Sequence, residues 1–287
     1  MTDRLEPLIK ERAPWLFSGR PGVGTARKLL NWLLNYEQSS YHFGAVGDLS
    51  ADEVMQYAAR IIAKDVKVTG LDNIPRSGPA LIVSNHPTGI SDGVIVHDTL
   101  RRVRQDIYYF ANLDIIRVLP QYEEIVAPVE WRVDRRTRAK TRDTMNFTRE
   151  AVKQGKIGVI FPSGRLAKRR GLSLHERPWM ASAAMIARKF DLPVIPMHIR
   201  ARNSTLFYLF DFLHPTLRDI TLFNELLNKA DQPFRVTIGE AISPSALPAK
   251  SEDAIKMLRR ATLALGGRRA PAVSLVDATR RPSWLRA

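Results

Sequence analysis

Residues able to move a proton stand close together in Leu81-Ile82-Val83-Ser84-Asn85-His86-Pro87-Thr88-Gly89-Ile90-Ser91-Asp92-Gly93. An aspartate follows a histidine by six positions, and a neutral imidazole held by a carboxylate takes up a proton near neutral pH. The run before His86 is apolar and β-favouring. Pro87 has no N–H and turns the residue before it from helical geometry, so a buried strand is predicted to end at His86. If a helix begins after Gly89, Asp92 lies beside the ring. The same residues also fit a turn histidine bonded to backbone, with Asp92 as a helix-entry carboxylate.

A second apolar run broken by proline is Val159-Ile160-Phe161-Pro162-Ser163-Gly164-Arg165, continued by Lys168, Arg169 and Arg170. Backbone N–H groups at Ser163 and Gly164 beside Arg165 and Lys168 suit a phosphate or another anion; a solvated basic loop is the plainer reading. A third segment, Glu123 to Arg136, reads as a strand leading into basic residues. Its Arg132 and Arg135 either line the same pocket or begin a charged helix. Leu192 to Ile199 reads as a core strand bracketed by prolines, with His198 structural. Gly19 to Thr25 superficially suggests a phosphate loop, but lacks the lysine before Thr25 and a strand ahead of it.

The elements that must position these residues alternate. Strands are expected at Val66–Val68, Ala80–Ser84, Ile107–Phe110, Ile125–Val129, Ile157–Phe161, Val194–Ile199 and Phe234–Ile238. Helix-compatible stretches lie near 55–63, 90–104, 137–154, 178–190, 218–229 and 251–265. Apolar strands alternating with helices predict an α/β fold, a largely parallel sheet flanked by helices. Sites in such sheets gather at the carboxyl ends of strands. The N-terminal segment, 1–50, carries an amphipathic helix over 25–36 that either lies in a membrane interface or packs on the core. Residues 51–245 form the main domain, and 246–287 a helix with a basic, flexible tail.

The chain has 287 residues, 44 Lys plus Arg against 29 Asp plus Glu, a formal charge of +15, and no cysteine. Thiolate metal sites, thiol nucleophiles and disulfides are thereby excluded. The basic excess favours a polyanionic partner. No window reaches the ~18 uncharged apolar residues of a membrane span, and the charged N-terminus has no secretory pattern.

Together the four segments resemble the blocks of the glycerolipid acyltransferase superfamily, which includes 1-acylglycerol-3-phosphate acyltransferases. Asn85-His86 with Asp92 resembles its Asn-His…Asp block, and Phe161-Pro162-Ser163-Gly164-Arg165 its Phe-Pro-Glu-Gly-Thr-Arg block. Val194-Ile195-Pro196 is similar to its last strand. Glu225 to Lys229 and Ile238 to Ile242 are similar to the hemolysin-like branch that includes lyso-ornithine lipid acyltransferases. Five residues separate His86 from Asp92 where four are usual, and Ser163 replaces a glutamate.

The resemblance implies acyl transfer from acyl-CoA or acyl carrier protein to a lysophospholipid or related lysolipid. His86 would be general base, Asp92 its partner, and N–H groups near Gly164 or Gly89 would face the oxyanion. Ser163, Gly164, Arg165, Lys168 and Arg132 or Arg135 would hold phosphates. No cofactor or metal is implied beyond the thioester co-substrate. The expected partners are the lysolipid, the donor and an anionic membrane surface, with no nucleic acid, and the expected location is cytoplasmic, peripheral on the inner face of the cell membrane. The rival readings are a non-enzymatic basic protein binding anionic lipid or nucleic acid, and a metal-dependent hydrolase using His86, Asp92 and His97.

Overall fold

The structure is a computed structural model describing residues 6–130, 137–267 and 272–275. Arg132 and Arg135, and the tail arginines 268, 269, 280, 281 and 286, lie outside the described residues. In chain order the strands are β1 (Val66–Thr69), β2 (Ala80–Ser84), β3 (Ile107–Asn112), β4 (Val126–Val129), β5 (Ile157–Ile160), β6 (Lys168–Arg170), β7 (Ser173–His175), β8 (Val194–Arg200), β9 (Phe234–Ile238) and β10 (Ala272–Ser274). Seven form one sheet in the order β1-β9-β8-β2-β5-β3-β4. Every pairing in it is parallel except that of β8 with β9.

β2 is the middle strand. Its five residues are all buried, and Ile82 sits opposite Val159 of β5 and Ile195 of β8. A strand covered on both faces needs such a continuous apolar run, and the parallel pairings follow from helical crossovers between strands. The remaining strands form a small antiparallel sheet, β10-β7-β6.

The helices are α1 (Glu6–Arg12), α2 (Val23–Leu33), α3 (Tyr36–Ala45), α4 (Ala51–Ile62), α5 (Ile90–Arg101), α6 (Asp114–Val118), α7 (Arg138–Lys153), α8 (Ser182–Lys189), α9 (Thr205–Leu213), α10 (Pro215–Leu227) and α11 (Ser251–Ala264). Ile82, Tyr109 and Val159 face α4 and α5, while Leu81, Tyr108 and Val83 face the other side, where α8 and α11 pack. Alternate strand residues therefore feed two cores, as the period of two requires. α11 buries Ala254, Ile255 and Leu258 in the second core, so the chain beyond 245 completes the layer that 51–245 begins.

The amphipathic helix expected over 25–36 ends at Leu33. Asn35 takes φ 47°, a left-handed conformation that asparagine tolerates, and α3 starts on the far side of it. α4 begins at a capping box in which Ser50 and Glu53 bond each other's backbone.

Candidate active site

The site is built where β2 ends. Asn85 does not face the space beyond the strand. Its Nδ2 donates to the Ile199 carbonyl at 2.8 Å and its Oδ1 accepts the Ile199 N–H at 2.7 Å, so a side-chain amide extends the β2–β8 ladder by one rung. His86 follows with its main chain held on both sides. Its N–H donates to Glu176 Oε2 at 3.1 Å, and its carbonyl accepts the Ala167 N–H at 2.8 Å. Its ring stacks on Phe161 at 4.4 Å, 25° from parallel.

Gly89 then turns the chain with φ 89° and ψ −128°, a region that costs a side-chain-bearing residue strain. That turn absorbs the fifth residue between histidine and aspartate and brings Asp92, in the first turn of α5, back over the strand end. Asp92 is wholly buried. Its Oδ2 accepts the N–H groups of Thr88 (2.8 Å) and Gly89 (2.9 Å), and its Oδ1 accepts the Thr88 hydroxyl. His86 Nδ1 lies 2.9 Å from the same Oδ2, with 18% of its side chain exposed. The distance is that of a close pair, but the ring N–H does not point straight at the oxygen, which already takes two backbone donors.

Glu176 is the only acid between residues 151 and 190, a stretch with nine cations. Buried at the end of the small sheet, it accepts the His86 N–H and the Trp179 indole N–H (2.9 Å), one on each oxygen. Burial pushes its carboxyl up, against the pull of those donors. The lone acid in a basic run was its only sequence signal, and it was missed.

The other expected residues scatter. Ser163 is buried, donating its hydroxyl to the Arg165 carbonyl at 2.8 Å. Gly164 takes φ 59° and lines the cavity described below. Arg165 and Lys168 are exposed and are not part of that lining, because the chain turns there into the β6–β7 hairpin and Arg169 lies over the Tyr208 ring. The N–H groups expected at an oxyanion are spent: that of Gly89 on Asp92, that of Gly164 on the Phe161 carbonyl. His97 is engaged with Asp52 at 3.0 Å and Tyr109 at 3.1 Å, and among the described residues no three His, Asp or Glu side chains form a metal-holding group. His198 is buried in β8, where loss of water holds its imidazole down to about 4.

A cavity of about 1240 Å³ opens beside His86. On one side of the sheet its walls are apolar residues of α3, α4 and α5, such as Phe43, Met55 and Ala58. On the other they come from α7 and α8, where Lys140, Arg188 and Lys189 supply cations that the sequence did not single out. Lys140 pairs with Glu130 at 2.8 Å, and Arg188 donates to the Pro248 carbonyl.

A histidine close to a buried aspartate thus stands at the end of the middle strand, beside a large and mostly apolar cavity. A family profile described as Acyltransferase matches residues 65–200, so this part of the chain is similar to that family. The chain is similar to a lyso-glycine lipid O-acyltransferase of Phocaeicola vulgatus, 26% identical over 184 residues that cover 62% of this chain and 64% of that protein. A protein of the same name from Bacteroides thetaiotaomicron is 24% identical over 245 residues, covering 83% of this chain and 87% of the relative. The fold resembles the crystal structure of the 1-acyl-sn-glycerophosphate (LPA) acyltransferase PlsC from Thermotoga maritima, with TM-score 0.51, 15% identity, and coverage of 86% of this chain and 98% of that one.

Proposed function

We propose that this chain moves a fatty acyl group from a thioester, carried by coenzyme A or acyl carrier protein, to the hydroxyl of a lysolipid. His86 is the general base. The observation that carries this reading is the 2.9 Å approach of Asp92 to His86 Nδ1, with the carboxylate wholly buried and tied to its own turn. The nearby negative charge favours the tautomer with its proton on Nδ1, although that N–H is not aligned with Oδ2, and leaves Nε2 to the substrate. Nε2 takes the acceptor proton as its oxygen attacks the thioester carbonyl. The C–O bond forms, the C–S bond breaks, and the proton passes to the departing thiolate, so no cofactor, metal or covalent enzyme intermediate is needed. We assign the oxyanion to the Ile90 N–H, which lies in the first turn of α5 and so has no helical acceptor, Ile90 lining the cavity beside His86.

The lysolipid class is supported by the names of the relatives, and a lyso-amino-acid lipid is the acceptor they favour. Lys189, with Lys140 and its Glu130 partner, lines the cavity and is assigned to an anionic headgroup or donor phosphate in place of Arg165 and Lys168. The test incubates the purified chain with labelled acyl-CoA or acyl carrier protein and lysolipids including lysophosphatidate, lyso-glycine and lyso-ornithine lipid. Transfer to a lysolipid hydroxyl is expected, with His86→Ala slower by ~10²- to 10⁴-fold. No transfer to any acceptor would sink the activity; full transfer by the variant would sink the role of His86 alone.

A further inference from the structure

Within the apolar half of the cavity sits a small polar group that base catalysis at His86 does not use. Ser39 and His42 are three residues apart on α3 and share one face of that helix. Ser39 is 2% exposed and its hydroxyl has no hydrogen-bond partner. His42 Nδ1 lies 2.7 Å from the Tyr57 hydroxyl of α4. All three residues line the same cavity as His86.

Burying a hydroxyl without a partner is costly, and native proteins leave few such groups. The His42–Tyr57 contact also leaves one donor over. If the phenol donates to Nδ1, the imidazole keeps its proton on Nε2; if Nδ1 donates, the phenol proton remains. One corner of an otherwise apolar wall thus holds a hydroxyl and a second donor. Among the described residues no charged side chain lines this side of the cavity, the ionic lining being Glu130, Lys140, Arg188, Lys189 and Glu252 on or beyond the opposite face. A carboxylate or phosphate would therefore meet no counter-charge here, whereas a neutral hydroxyl would find both a donor and an acceptor.

We infer that Ser39, with the His42–Tyr57 pair, reads a hydroxyl on an acyl chain lying in the apolar half of the cavity, so that the preferred substrate carries a hydroxylated fatty chain besides the oxygen that reacts. This rests on the proposed acyl transfer for which chain is read, but the recognition itself is a binding property. The chain could be the donor's or the acceptor's, and the two are tested separately.

Binding is measured first, by calorimetry with palmitate and with hydroxypalmitates substituted at successive positions, which needs no turnover. One hydroxyl position should bind roughly three- to tenfold more tightly than palmitate, the worth of a single buried hydrogen bond. That ratio should fall to about one in Ser39→Ala and drop in Tyr57→Phe, with melting curves reporting that both variants are folded. Turnover then compares plain and hydroxylated acyl-CoA, and plain and hydroxylated lysolipids, to find which substrate carries the mark. The inference fails if no hydroxyl position beats palmitate, or if the ratio survives both variants. A protein that binds hydroxypalmitate selectively yet transfers nothing would overturn the catalytic reading and leave this one standing.

Discussion

At the scale of single residues, Glu176 has the most to answer for, since it holds the main chain of His86 with one oxygen and the Trp179 indole with the other. Glu176→Gln keeps shape and volume but replaces one acceptor by an NH₂ group, which must then face an N–H. One buried donor loses its partner, so a destabilisation of about 1–3 kcal/mol is expected from urea unfolding, with a fall in acyl transfer as His86 shifts. His198 gives a prediction of the opposite kind, in pH. Its folded value of about 4 lies below the ordinary 6.5, so between those values the unfolded chain binds the extra proton. Stability from this group is complete above pH 6.5 and is lost as pH falls toward 4, by about 3 kcal/mol. Unfolding at pH 7 and 4.5 should show a smaller difference for His198→Leu than for the parent chain.

Among elements, the β2–turn–α5 unit decides whether histidine and aspartate meet. Gly89→Ala places a Cβ where φ is 89°, so the turn should relax and carry Asp92 off Nδ1. A loss of about 1 kcal/mol or more in melting experiments and a larger loss in transfer rate are expected. An active variant of unchanged stability would mean the spacing is not held by this turn. Much of this unit was legible beforehand: apolar runs stopped by Pro87 and Pro162 located both strand ends, and the period of the strands located the sheet. The hairpin after Gly164 was not legible, because Lys168, Arg169 and Arg170 carry charge rather than the alternation that marks a strand. What looked like one cluster of cations is a ribbon whose side chains diverge. The lining cations Lys140, Arg188 and Lys189 escaped for the converse reason: they belong to helices far apart in sequence, and only the packing of α7 and α8 brings them to one cavity. Asn85, read as part of a reactive block, proved to be a tie between strands, a role that depends on a partner 114 residues away.

For the whole molecule, the exposed apolar surface is uneven. Trp32 on α2 is 74% exposed and Phe212 on α9 is 80% exposed, with Leu29, Leu209 and Leu213 also open. Both helices pack into one small cluster through residues such as Leu30 and Phe210, so these side chains share one end of the protein, with Arg27 and Lys28 nearby in sequence. Among the described residues no helix is long and apolar enough to cross a membrane. The prediction for this exposed apolar end, with the basic residues of α2 beside it, is contact with an anionic bilayer surface. Flotation with anionic vesicles should show binding that salt weakens, and Trp32→Ser with Phe212→Ser should reduce it by roughly tenfold or more, given the transfer energy of two large side chains. Binding indifferent to lipid charge and to both substitutions would rule this surface out. The size of the cavity bears on how the proposed cycle ends. On the proposed reaction, the product keeps both chains where the substrates lay, and each buried methylene holds it by about 0.8 kcal/mol. Departure into water would cost some 8 kcal/mol for ten methylenes, far too much for repeated turnover. On that reading release would be a partition between two oily phases, with a bilayer as the sink that resets the protein, and its area would set how many turnovers follow the first.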